Sequence, residues 1–406
     1  MLTLINDRGE ISTVELRPAP NYAPPARGLT SRVAYAAAHV VPHPWGDNTP
    51  GQPADIDWEA TLAFRRHAYS YGLGVADAMD TAQRNMGLDA AATRELISRS
   101  AQVAREENGS LVVGVNTDHV EEESISLSQV GDAYLEQLEF TEEQGAGPVI
   151  MSSRHLARAA TSAADYREVY NRVLAAVQTP VVLHWLGTAF DPQLQGYFGS
   201  EDWRVAADTL IEVISANPGK VAGVKMSLLD ADSELAVRAR LPEGVRMLTG
   251  DDYNYVDLIG GEALVGVDGV KCAGADGETL PVFQGHSDAL LGAFAALVAP
   301  ASAALQALDA GKPGEYERIL RPTEELSRQI FARPTFYYKT GVFFMAWLNG
   351  FQPGFSMVGG LHSARSLPHL STIVELANHA GALIAPDLAA ERWHTLLRTN
   401  GIEVAR

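Results

Sequence analysis

The chain of 406 residues has a single cysteine, Cys272, and only five lysines: Lys220, Lys225, Lys271, Lys312 and Lys339. One thiol excludes an intrachain disulfide and suits a reducing compartment, so the cytoplasm is the expected location. The start, MLTLINDRGEIS, lacks a basic segment followed by an apolar one, and no signal peptide is expected. No apolar run reaches the ~18 residues that a membrane-spanning helix needs. Positive charge is scarce as well. Thirty-one Lys and Arg stand against 50 Asp and Glu, a net charge of −19. Nucleic acid and anionic membrane surfaces both reward clustered Lys and Arg, so neither is an expected partner. No Gly-rich phosphate loop follows an early strand, which removes the main signal of a dinucleotide-binding sheet. No His-x-His or HExxH marks a compact metal site.

What is present has a rhythm. TLINDRGEISTVEL reads as a β-hairpin around Asp7-Arg8-Gly9, and a Pro-rich connector runs from Pro18 to Pro25. From about residue 32, short apolar runs alternate with longer amphipathic stretches. The runs are VAYAAAHVV (33–41), GLGVADAMD (72–80), LVVGVN (111–116), PVIMSS (148–153), PVVLHWLG (180–187), VAGVKMS (221–227), RMLTGDD (246–252) and VDGVKCAGA (267–275). Each is too short for a typical helix and rich in aliphatic residues. Such runs between helical patterns mean parallel strands buried on both faces. Eight of them predict an α/β fold, a (β/α)8 TIM barrel over residues 32–310. Residues 1–31 form the hairpin and connector. Residues 311–406 read as a C-terminal helical extension, and GHSDALLGAFAALVAPASAALQALDAG as a long amphipathic helix before it.

One lysine stands out in this pattern. Lys225 interrupts the apolar run of the sixth expected strand, near the C-terminal mouth where such barrels place their chemistry. The helix layer offers an ammonium no partner, so Lys225 points to the lumen. Partial desolvation lowers a lysine pKa, and a neutral amine attacks carbonyls. The plainer alternative is a lysine that snorkels to water or pairs with Asp251 or Asp252. Lys271, late in the eighth expected strand, is a second candidate amine, or a cation that depresses the pKa of Lys225; its plainer alternative is a pair with Asp268 or Asp276.

The order of these motifs resembles the dihydrodipicolinate synthase/N-acetylneuraminate lyase family of class I aldolase-type barrels, from about residue 33 to 370. GKVAGVKMSLLDADSE is similar to that family's sixth-strand segment, which carries the Schiff-base lysine, so the resemblance puts that role on Lys225. RMLTGDDYNYVDLIGGEALVGVDGVKCAGA is similar to the seventh and eighth strands, and PTFYYKTGVFFMAWLNGFQ with SARSLPHL to the C-terminal helices. Two departures mark a divergent branch. The family's second strand ends in a Gly-Thr-Thr-Gly-Glu cradle for the substrate carboxylate. Here DTAQR (80–84) keeps only Thr81, and Asp80 brings a negative charge that Arg84 would have to offset. His184, in VVLHWLG, stands where the family has a proton-shuttling tyrosine, and imidazole suits acid/base work near neutral pH.

Further candidates at strand ends are His39, Asn116, Asp251 and Asp252, as substrate-binding or hydrogen-bonding groups. Beside His184, Trp185 alternates towards the helix layer. The expected activity is a metal-independent lyase or aldolase that needs no cofactor. It would form an imine with a small oxo acid or keto-sugar derivative, cleaving a carbon–carbon bond or eliminating water. Two rival readings stay open. One is a metal-dependent barrel lyase or isomerase using His39, His184 and His286 with Asp80 or Asp252. The other is a non-catalytic barrel that only binds its ligand. The resemblance also implies a homo-oligomer, a dimer or tetramer.

Overall fold

The computed structural model describes residues 1–404; residues 405 and 406, the end of the expected extension, lie outside the described residues. Strands β1 (Leu2–Ile5) and β2 (Ile11–Val14) pair antiparallel as the expected hairpin. Its turn is organised by Asn6, whose side-chain oxygen accepts the backbone N–H groups of Arg8 and Glu10 at 3.0 Å each.

The aliphatic runs then build the barrel. Strands β3 (Ala34–Ala37), β4 (Gly74–Asp77), β5 (Leu111–Val115), β6 (Gly147–Met151), β7 (Val181–Leu186), β8 (Val221–Ser227), β9 (Arg246–Thr249) and β10 (Asp288–Leu291) close in the order β10-β3-β4-β5-β6-β7-β8-β9. All pairings are parallel. Alternation splits each strand between two cores. Ala37, Ala76, Val112, Val149, Val182 and Leu290 pack with one another inside the lumen. Their neighbours, such as Val75, Val113 and Trp185, join the larger core under the helices. Trp185 stands edge-on to Phe198 there, with ring centroids 5.2 Å apart.

Seven strands lie where the aliphatic runs predict them. The eighth does not. Residues 267–275 form an exposed, turn-rich segment, with Gly266 and Gly269 at φ +86°. Lys271 is exposed in it and stands at no strand end. Gly269 takes a positive φ and the Val270 N–H bonds back to the Val267 carbonyl at 3.1 Å, so the run closes into a turn instead of extending as a strand. The true eighth strand is Asp288–Leu291, wholly buried and paired with β9 and β3. It was concealed because its apolar residues continue without a break into the helical pattern Ala293–Ala296 and Val298–Asp309.

The extension brings the helices Pro313–Ile330, Tyr338–Leu348, Leu367–His379 and Pro386–Thr399. Every residue of Tyr338–Leu348 is buried, and it packs on Ala293–Ala296, directly after β10. The hairpin closes on the last two helices. Trp393 Nε1 donates to the Thr3 carbonyl at 2.7 Å, and the Ile5 N–H donates to Ser371 Oγ at 2.9 Å. Helix Trp58–Ser70 is pinned to the barrel by Arg65, which donates to both oxygens of Asp77 at 3.0 and 2.8 Å, all fully buried. No helix among the described residues is long and apolar enough to cross a membrane.

One buried acid makes stability depend on pH. Glu234 accepts the Ser287 hydroxyl at 2.7 Å and also faces the Thr249 hydroxyl, while its second oxygen has no hydrogen-bond partner among the described residues. Burial pushes its carboxyl up to about 7. The folded chain therefore holds a proton that the unfolded chain releases above the ordinary carboxylate range, near pH 4.3. Stability falls as pH rises through that window and the contribution is lost above about 7. Glu234→Gln is expected to raise stability at pH 8 by roughly 1–3 kcal/mol and to flatten the pH profile of urea denaturation. An unchanged profile would show that the carboxylate is solvated by other means.

Candidate active site

The lumen changes character at its C-terminal end. Through β7 and β8 the inward positions run Val182, His184 and Gly223, Lys225, Ser227, and His184 stands directly beside Lys225 in the parallel register. Lys225 is 6% exposed. Its stem passes Gly250, where a methyl group would come within 2.9 Å of Lys225 Cε and 2.2 Å of Ser227 Oγ. Glycine at 250 is thus what leaves room for the lysine to run across the end of β9.

Desolvation pulls the Lys225 ammonium below the usual lysine range, while the charges of Asp80 and Asp252 act in the opposite sense. Asp252 is fully buried and shifts the other way. Burial raises its carboxyl, against the pull of the Ala293 N–H, which donates to it at 2.8 Å, and of Lys225. Burial thus pushes the amine and the acid alike towards their neutral forms. His184 is held neutral by burial and by the Lys225 charge. Its Nε2 lies 3.1 Å from Ser227 Oγ, and its Nδ1 has no partner among the described residues.

The helix Tyr338–Leu348 contributes the roof. Tyr338 OH lies 2.8 Å from Thr81 Oγ1, and its ring stacks on Phe331 at 4.3 Å and meets Phe190 edge-on at 5.6 Å. The next residue, Lys339, is 2% exposed. Its Nζ donates to the Phe336 carbonyl at 3.3 Å and lies 4.6 Å from the Tyr338 ring centre. Burial lowers its pKa to about 8, with Asp80 and Asp191 opposing and Arg154 assisting. Arg154 itself binds Asp191 through Nε at 2.6 Å.

The structure thus brings Lys225, His184, Asp252, Asp80 and Thr81 to one end of the lumen. It sends the other candidates elsewhere. Asp251 caps the turn that follows it, accepting the N–H groups of Tyr253 and Asn254. Asn116 caps its own strand end by accepting the Thr117 N–H at 2.7 Å. His39 sits in an aromatic nest against Phe64 and Phe343, its Nε2 3.1 Å from Gln352 Oε1. His286 pairs at the surface with Glu262, so the three histidines do not converge. Arg84 does not offset Asp80. Its guanidinium is spent on Asp118, Gln137 and the carbonyls of Ala78 and Gly114.

Tyr338, Lys339 and Arg154 are site residues that the sequence pattern left unmarked. Lysine scarcity singles out Lys339 as much as Lys225. A helix, however, shows no two-residue alternation from which the direction of one side chain follows.

Residues 2–402 match the family described as protein of unknown function (DUF993). The chain belongs to the DUF993 family. No curated protein matches it. Among solved structures, this DUF993 protein is similar to 4-hydroxy-tetrahydrodipicolinate synthase from Methylacidiphilum fumariolicum SolV, with a TM-score of 0.58 and 16% identity over 91% of this chain and 98% of that one. Dihydrodipicolinate synthase from Aquifex aeolicus gives 0.55 and 12% over 92% and 100%. A structure described as PhdJ bound to substrate intermediate gives 0.57 and 14% over 90% and 97%. At such identities the likeness establishes a shared fold, the barrel with its C-terminal helices.

Gly250 offers a direct check on the lysine channel of this DUF993 protein. Gly250→Ala sets a methyl group against the Met226 backbone carbonyl as well as the Ser227 hydroxyl and the lysine stem, and is expected to cost about 1–3 kcal/mol of stability, measured by urea denaturation. Wild-type stability in that variant would mean that the Lys225 stem does not use this gap.

Proposed function

We propose that this chain is a lyase or aldolase of the imine-forming class, acting on a small oxo acid or keto-sugar derivative. The observation that carries the reading is the amine of Lys225. It is buried in the barrel lumen, pushed towards neutrality, and set beside a carboxyl that is pushed the same way.

The chemistry follows from those states. With Lys225 neutral and Asp252 in its acid form, the lysine lone pair is free to attack the carbonyl carbon. A C–N bond forms as the C=O π pair moves to oxygen, and the nitrogen passes one proton to that oxygen to give a neutral carbinolamine. Asp252 returns its proton to the departing hydroxyl, water leaves, and a protonated imine remains. The imine then takes up the electron pair of a neighbouring C–C or C–H bond as an enamine. His184, neutral and with Nδ1 unpartnered, is the base that accepts a proton at this stage. The hydroxyl pair of Thr81 and Tyr338 lies on the far side of the mouth and orients the substrate oxygens. Two structures of the same fold described as dihydrodipicolinate-type synthases, and one described as PhdJ bound to substrate intermediate, support the class of chemistry without fixing the substrate.

Borohydride trapping tests the reading. Incubation with pyruvate and with a panel of keto-sugars, followed by reduction and peptide mapping, is expected to place a covalent adduct on the segment Val221–Ser227. The adduct should vanish in Lys225→Met and persist in Lys271→Met. Because the Lys225 pKa is lowered, trapping should already proceed near neutral pH. Absence of an adduct with every compound, in protein shown by circular dichroism to be folded, would overturn the imine mechanism.

A further inference from the structure

One hydroxyl decides what the His184 ring can do. Among the described residues the imidazole has a single hydrogen-bond partner, Ser227, whose Oγ lies 3.1 Å from Nε2. Nδ1 has none. His184 is 1% exposed and Ser227 2%. Ser227 stands one inward position beyond Lys225 on β8, opposite Leu186 in the register, and its carbonyl accepts the Gly187 N–H at 2.9 Å. Its hydroxyl takes up the space that glycine leaves at position 250. On the β6 side, Ser152 Oγ donates to the His184 carbonyl at 3.0 Å and accepts the Leu186 N–H at 3.3 Å. Backbone and ring are therefore held from both flanking strands. A serine hydroxyl can meet the ring in two ways. If it donates to Nε2, the neutral ring carries its proton on Nδ1. That strands a buried N–H without an acceptor, the rarer kind of orphan, and leaves no lone pair free on either nitrogen. If Oγ accepts from Nε2–H, Nδ1 keeps its lone pair. The Ser227 bond then also survives protonation of Nδ1, because both nitrogens of an imidazolium donate.

We propose that Ser227 is the residue that positions His184, accepting its Nε2–H and so reserving Nδ1 as the atom that takes a proton from the substrate. The proposal rests on the imine reading of the same mouth and names the atom through which its proton passes. In that step the C–H bond next to the imine carbon breaks. Its electron pair forms the C=C bond of the enamine, the C=N π pair moves to nitrogen, and the proton goes to Nδ1. Ser227 acts only through the ring, by fixing the tautomer and by holding the imidazolium that forms.

Nitrogen-15 NMR tests this without any substrate. Two-bond proton–nitrogen spectra of the full chain, labelled at histidine, distinguish the two tautomers. Loss of one spin system in His184→Gln assigns the signal among the 11 histidines. Wild type is expected to show His184 protonated at Nε2 alone, and Ser227→Ala to show both tautomers in exchange. The kinetic consequence is read with pyruvate and hydroxyacetone in deuterium oxide. Deuterium uptake at the carbon beside the carbonyl, per enzyme trapped on Lys225 by borohydride, is expected to fall about three- to tenfold in Ser227→Ala, the worth of one neutral hydrogen bond. His184 protonated at Nδ1 in the wild type overturns the proposal. So does an unchanged tautomer in Ser227→Ala that circular dichroism shows to be folded. The wild-type spectrum decides by itself where that variant does not fold. Trapping on Lys225 together with a wild-type Nδ1–H leaves the imine reading standing without this role for Ser227. An Nε2–H tautomer that depends on Ser227, with no trapping by any compound, keeps Ser227 as what fixes the ring and overturns the imine reading.

Discussion

The desolvation of one ammonium group governs the rest of this site. Lys225 is 6% exposed at the end of the lumen, and burial weighs against its charged form more than Asp80 and Asp252 favour it. Its neighbours respond in kind: Asp252 is driven towards its neutral acid and His184 stays an uncharged imidazole. A cluster of this sort is electrostatically soft. Its protons can be rearranged at little cost, which is what addition to a carbonyl and loss of water require.

That desolvation is produced by the roof as much as by the barrel. The wholly buried helix Tyr338–Leu348 lies over the end of the lumen, and Phe331, Phe190 and Tyr338 interlock at its near end. The helix is in turn held by an extension that binds the first strand, through Trp393 to Thr3 and Ser371 to Ile5. The two ends of the chain therefore meet on the extension that carries the roof. The roof also explains why Lys339, remote in sequence from every barrel strand, shares the influence of Asp80 with Lys225.

Where sequence reading went astray, the reasons are local and physical. The run 267–275 has strand-like composition, yet Gly269 and Gly274 suit turns better than a doubly buried strand. Asp288–Leu291 is a strand because β9 and β3 leave a gap of one strand between them, a condition invisible in four residues that merge with a helix. Asp251 and Asp252 are adjacent and chemically identical. The turn after β9 sends Asp252 towards Lys225 and leaves Asp251 to cap it. Arg84 looked free to balance Asp80, but four partners at the ends of β4 and β5 claim it.

By itself, the sequence determined the barrel and the identity of its central amine. Aliphatic runs of strand length between amphipathic helices admit few architectures, and a lysine inside such a run has one direction in which to point. These are properties of short, contiguous segments, set by side-chain period and by the cost of burying charge. The tertiary structure alone decided which polar groups meet that amine. Their proximity depends on which strand closes the barrel and on where a helix more than a hundred residues downstream comes to rest. Protonation is set by distance and burial, and neither is encoded in any one stretch of the chain.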